Sequence, residues 1–109
     1  MIPAKKQLNT SNLLRRMNKP KRIDFSNKFL KQHKKAPQNV RKAWIKRLNL
    51  FKEDPFHPLL NNHALTGELS GHRSINITGD WRALYSEYTE EEETFIVFEV
   101  IGTHSQLYG

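Results

Sequence analysis

Residues 94–101, reading TFIVFEVI, restrict the fold more than any other stretch of this chain. Phe95 and Val97 fall on one parity, Ile96 and Phe98 on the other. A strand sends alternate side chains to opposite faces, so a run apolar on both parities predicts a central strand covered on both sides. Such a strand needs partners at its edges and a layer to pack on.

The preceding residues offer the partners. In GHRSINITGDWRALY, residues 71–85, two β-rich runs flank Thr78-Gly79-Asp80 and read as a β-hairpin, with strands over 72–78 and 81–87. Residues 89–93 form an acidic turn into 94–101. Residues 21–25 alternate, with Ile23 and Phe25 on one face, and predict a short first strand.

Residues 26–54 offer the layer. Ser26 is a good N-cap for a helix running to about Lys35, with Phe29, Leu30 and His33 on one face. Pro37 suits the first turn of a second helix. There Val40, Trp44, Leu48 and Phe51 recur at helical spacing, and Ala43 and Ile45 widen the stripe. Arg41, Lys42, Lys46 and Arg47 make the opposite face, and Asp54-Pro55 ends the helix. Residues 55–71 read as a long loop pinned by Leu59, Leu60, Leu65 and Leu69. A loop of that length in a small domain is usually functional. Residues 104–108 read as a loop or short turn. The expected fold is α+β: a strand and a helical hairpin, then three strands, with the helices on one side of a mainly antiparallel, twisted sheet.

A chain of 109 residues is one domain. We place it over residues 21–109, behind a basic arm of residues 1–20. In the arm, Thr10-Ser11 can cap a short turn through Leu13, Leu14 and Met17, and Pro20 stops it. Two readings stay open: an arm ordered only on a partner, and a chain whose true start is Met17.

Charge is split along the chain. Residues 1–52 hold 16 of the 18 Lys and Arg and one acid, Asp24; residues 53–109 hold the other 10 acids. A basic half of this kind suggests a polyanionic partner, most simply nucleic acid. Solvated helix faces are the plainer alternative. Cysteine is absent, which excludes disulfides and thiolate metal sites. No apolar run approaches a membrane span, and no secretory signal is visible, so a cytoplasmic protein with no membrane partner is expected.

RNA can be cut without a metal. Its own 2′-OH attacks the adjacent phosphorus once a base takes that proton. An acid must protonate the departing 5′-oxygen, and donors must meet the charge on the phosphoryl oxygens. His63, Asp80 and His104 are the residues of suitable chemistry at the edges of the sheet, and Arg73 and Arg82 on its strands could fork onto phosphate. Singly, each has a plainer reading. His63 can be a solvated loop residue, Asp80 a turn former, His104 a strand terminator, and Arg73 a partner for a sheet carboxylate such as Glu99. Tyr108 can stack on a base. Trp44 and Trp81 read as packing residues. No histidine spacing suggests a metal, and no cofactor motif is present.

The ordered set HALTG (63–67), GHR (71–73), GDW (79–81) and GTHSQLY (102–108), behind a basic strand and helical hairpin, resembles the RelE/ParE superfamily of bacterial type II toxins, in its YafQ-like branch. The resemblance covers about residues 20–109. It implies an mRNA endonuclease acting in the ribosomal A site without a metal and held off by a cognate antitoxin. By position, His63, Asp80 and His104 match the branch's acid/base residues. Arg73 matches the strand arginine at the scissile phosphate, and Tyr108 stands where the branch usually has Phe. Asn76 stands where the branch has a further His; an amide can hydrogen-bond a phosphate or base but cannot move a proton at neutral pH. The alternative from another class is a non-catalytic member that acts by binding, such as a ParE-like gyrase inhibitor or a degenerate toxin.

Overall fold

The computed structural model describes residues 19–109; the proposed arm therefore lies almost wholly outside the described residues. The chain runs β1 (Arg22–Phe25), α1 (Asn27–Lys35), α2 (Gln38–Glu53), β2 (His63–Ala64), β3 (Arg73–Asn76), β4 (Trp81–Glu90), β5 (Glu93–Thr103) and α3 (His104–Tyr108). Short 3-10 turns at Pro58–Leu60 and Gly67–Leu69 flank β2. The five strands form one sheet in the order β1-β5-β4-β3-β2, with only the β1–β5 pair parallel.

Local chemistry accounts for the helical hairpin. The Ser26 hydroxyl accepts the Phe29 N–H and caps α1. It also donates to the Glu99 carbonyl, tying the helix start to β5. Pro37 takes the N-cap position of α2, one residue ahead of the first turn. Phe29, Val40, Trp44 and Phe51 are buried against Ile75, Ile77, Ala83, Tyr85, Ile96, Phe98 and Ile101. Phe98 is the hub: five aromatic rings, of Phe25, Phe29, Trp44, Phe51 and Tyr85, lie 5.0–6.0 Å from its own. Ile45 does not widen the buried stripe but is 59% exposed, as is Leu59 in the loop.

Three expectations are corrected. Residues 55–71 are not all loop, because His63 and Ala64 pair with Ser74 and Arg73 and add a fifth strand. Residues 104–108 are a helix, because Thr103 and Gln106 form a reciprocal capping box. β5 is interior but lies beside the middle strand, and the helical hairpin covers only one of its faces. On the other face Phe95 stacks on Tyr88 beneath the Arg22 guanidinium. Farther along, α3 closes over Gly102, where a Cβ would meet Leu107 at 3.2 Å. The glycine thus permits the helix to sit down on the strand.

His33 of α1 stacks on Phe29, and burial, reinforced by the nearby Arg41, holds its imidazole below its ordinary range. The folded state therefore resists protonating it. Its contribution to stability is complete above the unfolded value of about 6.5 and is lost as pH falls through the lowered folded value. Thermal melts from pH 7.5 down to pH 5 should show a smaller acid-side decline for His33→Gln than for the wild-type chain. Parallel declines would contradict the assignment.

Candidate active site

Cross-strand partners share a face of a sheet. Tyr85, Ala83 and Ile75 point into the core under the helices. By alternation Ser74, Asn76, Arg82 and Leu84 point to the opposite face, and His63, paired with Ser74, joins them. The terminal helix sits on this second face.

His63 is exposed on the short edge strand β2. Its Nδ1 lies 2.8 Å from the Asn61 carbonyl, which can only accept, so Nδ1 carries the proton. In the neutral ring Nε2 is then the free base. The strand is held by its neighbour Asn62, whose amide donates to the Pro55 carbonyl and to the Tyr85 hydroxyl. Burial pushes that hydroxyl's pKa up to about 12, so it stays protonated at working pH.

Asp80 is exposed at the tip of the β3–β4 turn, where the Thr78 hydroxyl accepts the N–H groups of Asp80 and Trp81. The Asp80 carbonyl accepts the His104 N–H at 2.9 Å, joining the turn to the start of α3. His104 is exposed, and its ring meets Tyr108 edge-on with centroids 4.6 Å apart. The Tyr108 hydroxyl donates to Ser74 at 2.9 Å. One chain of contacts therefore links the five residues: main-chain pairing joins His63 to Ser74 and His104 to Asp80, and side chains join Ser74, Tyr108 and His104. Asn76 lies one step along β3 from this chain, and its buried Oδ1 has no hydrogen-bond partner.

The arginines lie elsewhere. Arg73 pairs with Tyr85 and so belongs to the helix side of the sheet. Its Nε donates to the Asn62 side chain, and its guanidinium lies over the Phe56 ring. It braces the segment carrying His63 rather than facing His104. The carboxylate Glu99 pairs with His72, at 3.0 Å. Arg82 lies on the site's face but folds back on the turn, donating to the carbonyls of Thr78, Gly79 and Trp81. On α2, Arg41 caps the end of α1 through the Ala36 and Lys34 carbonyls, and Arg47 donates to the Ile77 carbonyl. Lys42 and Lys46 are exposed, together with Lys28, Lys31, Lys34 and Lys35 of α1.

Reading the sequence did not single out Asn62 or Ser74. Nothing local marks either: Asn62 is one of two adjacent asparagines in a polar loop, and Ser74 is a small polar residue in a strand. Among the described residues no three His, Asp or Glu side chains gather as a metal site, and no helix is long and apolar enough to cross a membrane.

A family model described as the bacterial toxin of type II toxin-antitoxin system, YafQ, matches residues 21–109. YafQ from E. coli strain BL21(DE3) is 25% identical, with a TM-score of 0.59, over 80% of this chain and 97% of that one. The toxin in the E. coli DinJ-YafQ complex is 26% identical, with a TM-score of 0.57 and the same two coverages. A YoeB/ParE toxin from Agrobacterium tumefaciens shares the fold at 16% identity, with a TM-score of 0.62 over 76% of this chain and 98% of that one. No curated protein matches the chain.

Proposed function

Because the chain belongs to the YafQ family of bacterial type II toxins, we propose that it is a ribosome-dependent mRNA endonuclease that needs no metal for the chemical step. The observation that carries this reading is the contact chain that links exposed His63, His104 and Asp80 through Ser74 and Tyr108. In the proposed reaction His63 Nε2 takes the proton of the RNA 2′-OH. The oxygen attacks phosphorus, and the 5′-oxygen leaves with a proton from His104. Asp80 stabilises the His104 imidazolium. Tyr108 presents its ring to the base beside the scissile bond. Asn76 lies on the same side of β3 as Ser74, and its side-chain amide is proposed to hydrogen-bond the substrate. The phosphoryl charge is met by imidazolium and by the Arg82 charge at the turn, since Arg73 is turned away.

Incubating the purified protein with translating ribosomes and mapping new mRNA 5′ ends tests this. Cuts within the A-site codon are expected. Asn76, in place of a proton-transferring His, favours the competing reading of a member that binds without cutting; ribosome association with no new ends would decide for it.

The partner that restrains the toxin is proposed to be an antitoxin, by likeness to the E. coli DinJ-YafQ toxin-antitoxin complex, and an acidic one, to match the exposed lysines of α1 and α2. The exposed lysines of α1 and α2 are proposed to seat on ribosomal RNA. Replacing Lys31, Lys34, Lys42 and Lys46 by Ala, which spares the structural Arg41 and Arg47, should reduce the salt slope of ribosome binding by up to about 3. An unchanged slope across a salt titration would remove the helical face from the interface.

A further inference from the structure

We propose that Ser74 is a positioning residue: by accepting the Tyr108 hydroxyl it seats the far end of α3 on the sheet and thereby fixes the direction of the His104 imidazole, which packs on the Tyr108 ring. The catalytic consequence rests on the nuclease reading above.

Ser74 is the one fully buried polar or charged residue among those described, at 0% exposure. Its backbone faces His63 on one side and Leu84 on the other, while its side chain receives Tyr108. One residue thus adjoins the strand of one proposed acid/base group and the helix of another.

The helix needs that anchor. Five residues are too few to hold a helix in water by themselves. The capping box fixes where α3 starts, and the His104 N–H to Asp80 carbonyl bond fixes its first residue. Leu107 rests on Gly102, an apolar contact without directional preference. The Tyr108 hydroxyl makes the directional bond of the last turn, to a strand two places away from β5. His104 and Tyr108 are four residues apart, so they share a helical face, and the ring that Ser74 holds is the ring against which His104 packs. Removing the bond frees α3 to pivot about Thr103, and the imidazole turns with it.

Tyr108→Phe, Ser74→Ala and the double variant test it in the full chain. Two readouts are compared: ribosome-dependent cleavage, and the NMR shifts and titration of the His104 ring. Each single variant should lower kcat roughly 10-fold with KM little changed, since the loss is one of orientation. The double variant should be no slower than the slower single, because both remove the same bond. Ser74→Thr, which keeps the hydroxyl, should retain most of the rate. The His104 ring signals should move to the same new positions in both singles. Wild-type His104 signals in Tyr108→Phe and Ser74→Ala would overturn the proposal, even with lowered activity. If the wild-type protein cuts no mRNA, the nuclease reading fails, and the His104 signals still decide whether the anchor exists.

Discussion

His104→Ala and Asp80→Ala should each slow mRNA cleavage by ~10²-fold or more while leaving the fold and ribosome binding intact. Both side chains are exposed, so their removal should change stability by no more than about 0.5 kcal/mol. The bond between the turn and the terminal helix is made by the His104 N–H and the Asp80 carbonyl, both main-chain groups, and survives either substitution. A loss of rate with an unchanged melt therefore reports on proton transfer rather than architecture. His63→Ala should behave similarly, since His63 presents Nε2 from an exposed edge strand. Asn76→His should raise the rate by restoring a proton-transferring group next to the contact chain. Products should carry a 2′,3′-cyclic or 3′-phosphate, and cutting should persist in EDTA once enough magnesium is left for intact ribosomes. A 3′-hydroxyl end would refute the mechanism, because it requires an external nucleophile.

How much of this could be read from the chain depended on how local the cause was. The start of α1 was legible because Ser26 acts on a residue three positions away. The buried stripe of α2 was legible because Val40, Trp44 and Phe51 repeat at the helical period. The β3–β4 hairpin was legible because Thr78-Gly79-Asp80 punctuates two β-rich runs. The terminal helix was within reach and missed: Thr103 and Gln106 have capping-box spacing, but five residues are too short for a period to show. β2 was out of reach, since His63 and Ala64 are both exposed and their strand depends on contacts Asn62 makes with Pro55 and Tyr85.

For the site, residue types were legible and directions were not. His63 pairs with Ser74, Tyr108 bonds to Ser74 and packs on His104, and His104 joins the Asp80 turn through the main chain. Arg73 goes to the helix side because β3 pairs Arg73 with Tyr85. Its parity is that of Ile75 and Ile77, which are buried under the helices, and the chemistry of an arginine side chain carries no information about parity. Arg41 and Arg47 fall on the outer face of α2 by period, yet their long side chains reach back to the carbonyls of Ala36 and Ile77.

Phe98→Ala should be the most damaging substitution to stability, at about 3–5 kcal/mol. Phe98 is fully buried on β5, and Phe25, Phe29, Trp44, Phe51 and Tyr85 all place their rings around it. Neither helix can collapse into the space left behind without losing its own contacts to the others, so most of the cavity should persist. Domains of this size are stable by about 5–15 kcal/mol, so the loss is a large share of the total. With roughly 4–8 °C per kcal/mol, the thermal midpoint should fall by more than about 10 °C. Phe95→Ala, on the open face of the same strand, should cost far less, because Phe95 is only half-buried between Arg22 and Tyr88. Equal shifts for the two would show that the helical side is not the main core. β5 also runs on into Gly102, Thr103 and His104, so Phe98→Ala should lower cleavage too, by a different route from His104→Ala. Its activity should return on cooling as the folded fraction recovers, whereas His104→Ala should stay slow at every temperature at which it is folded.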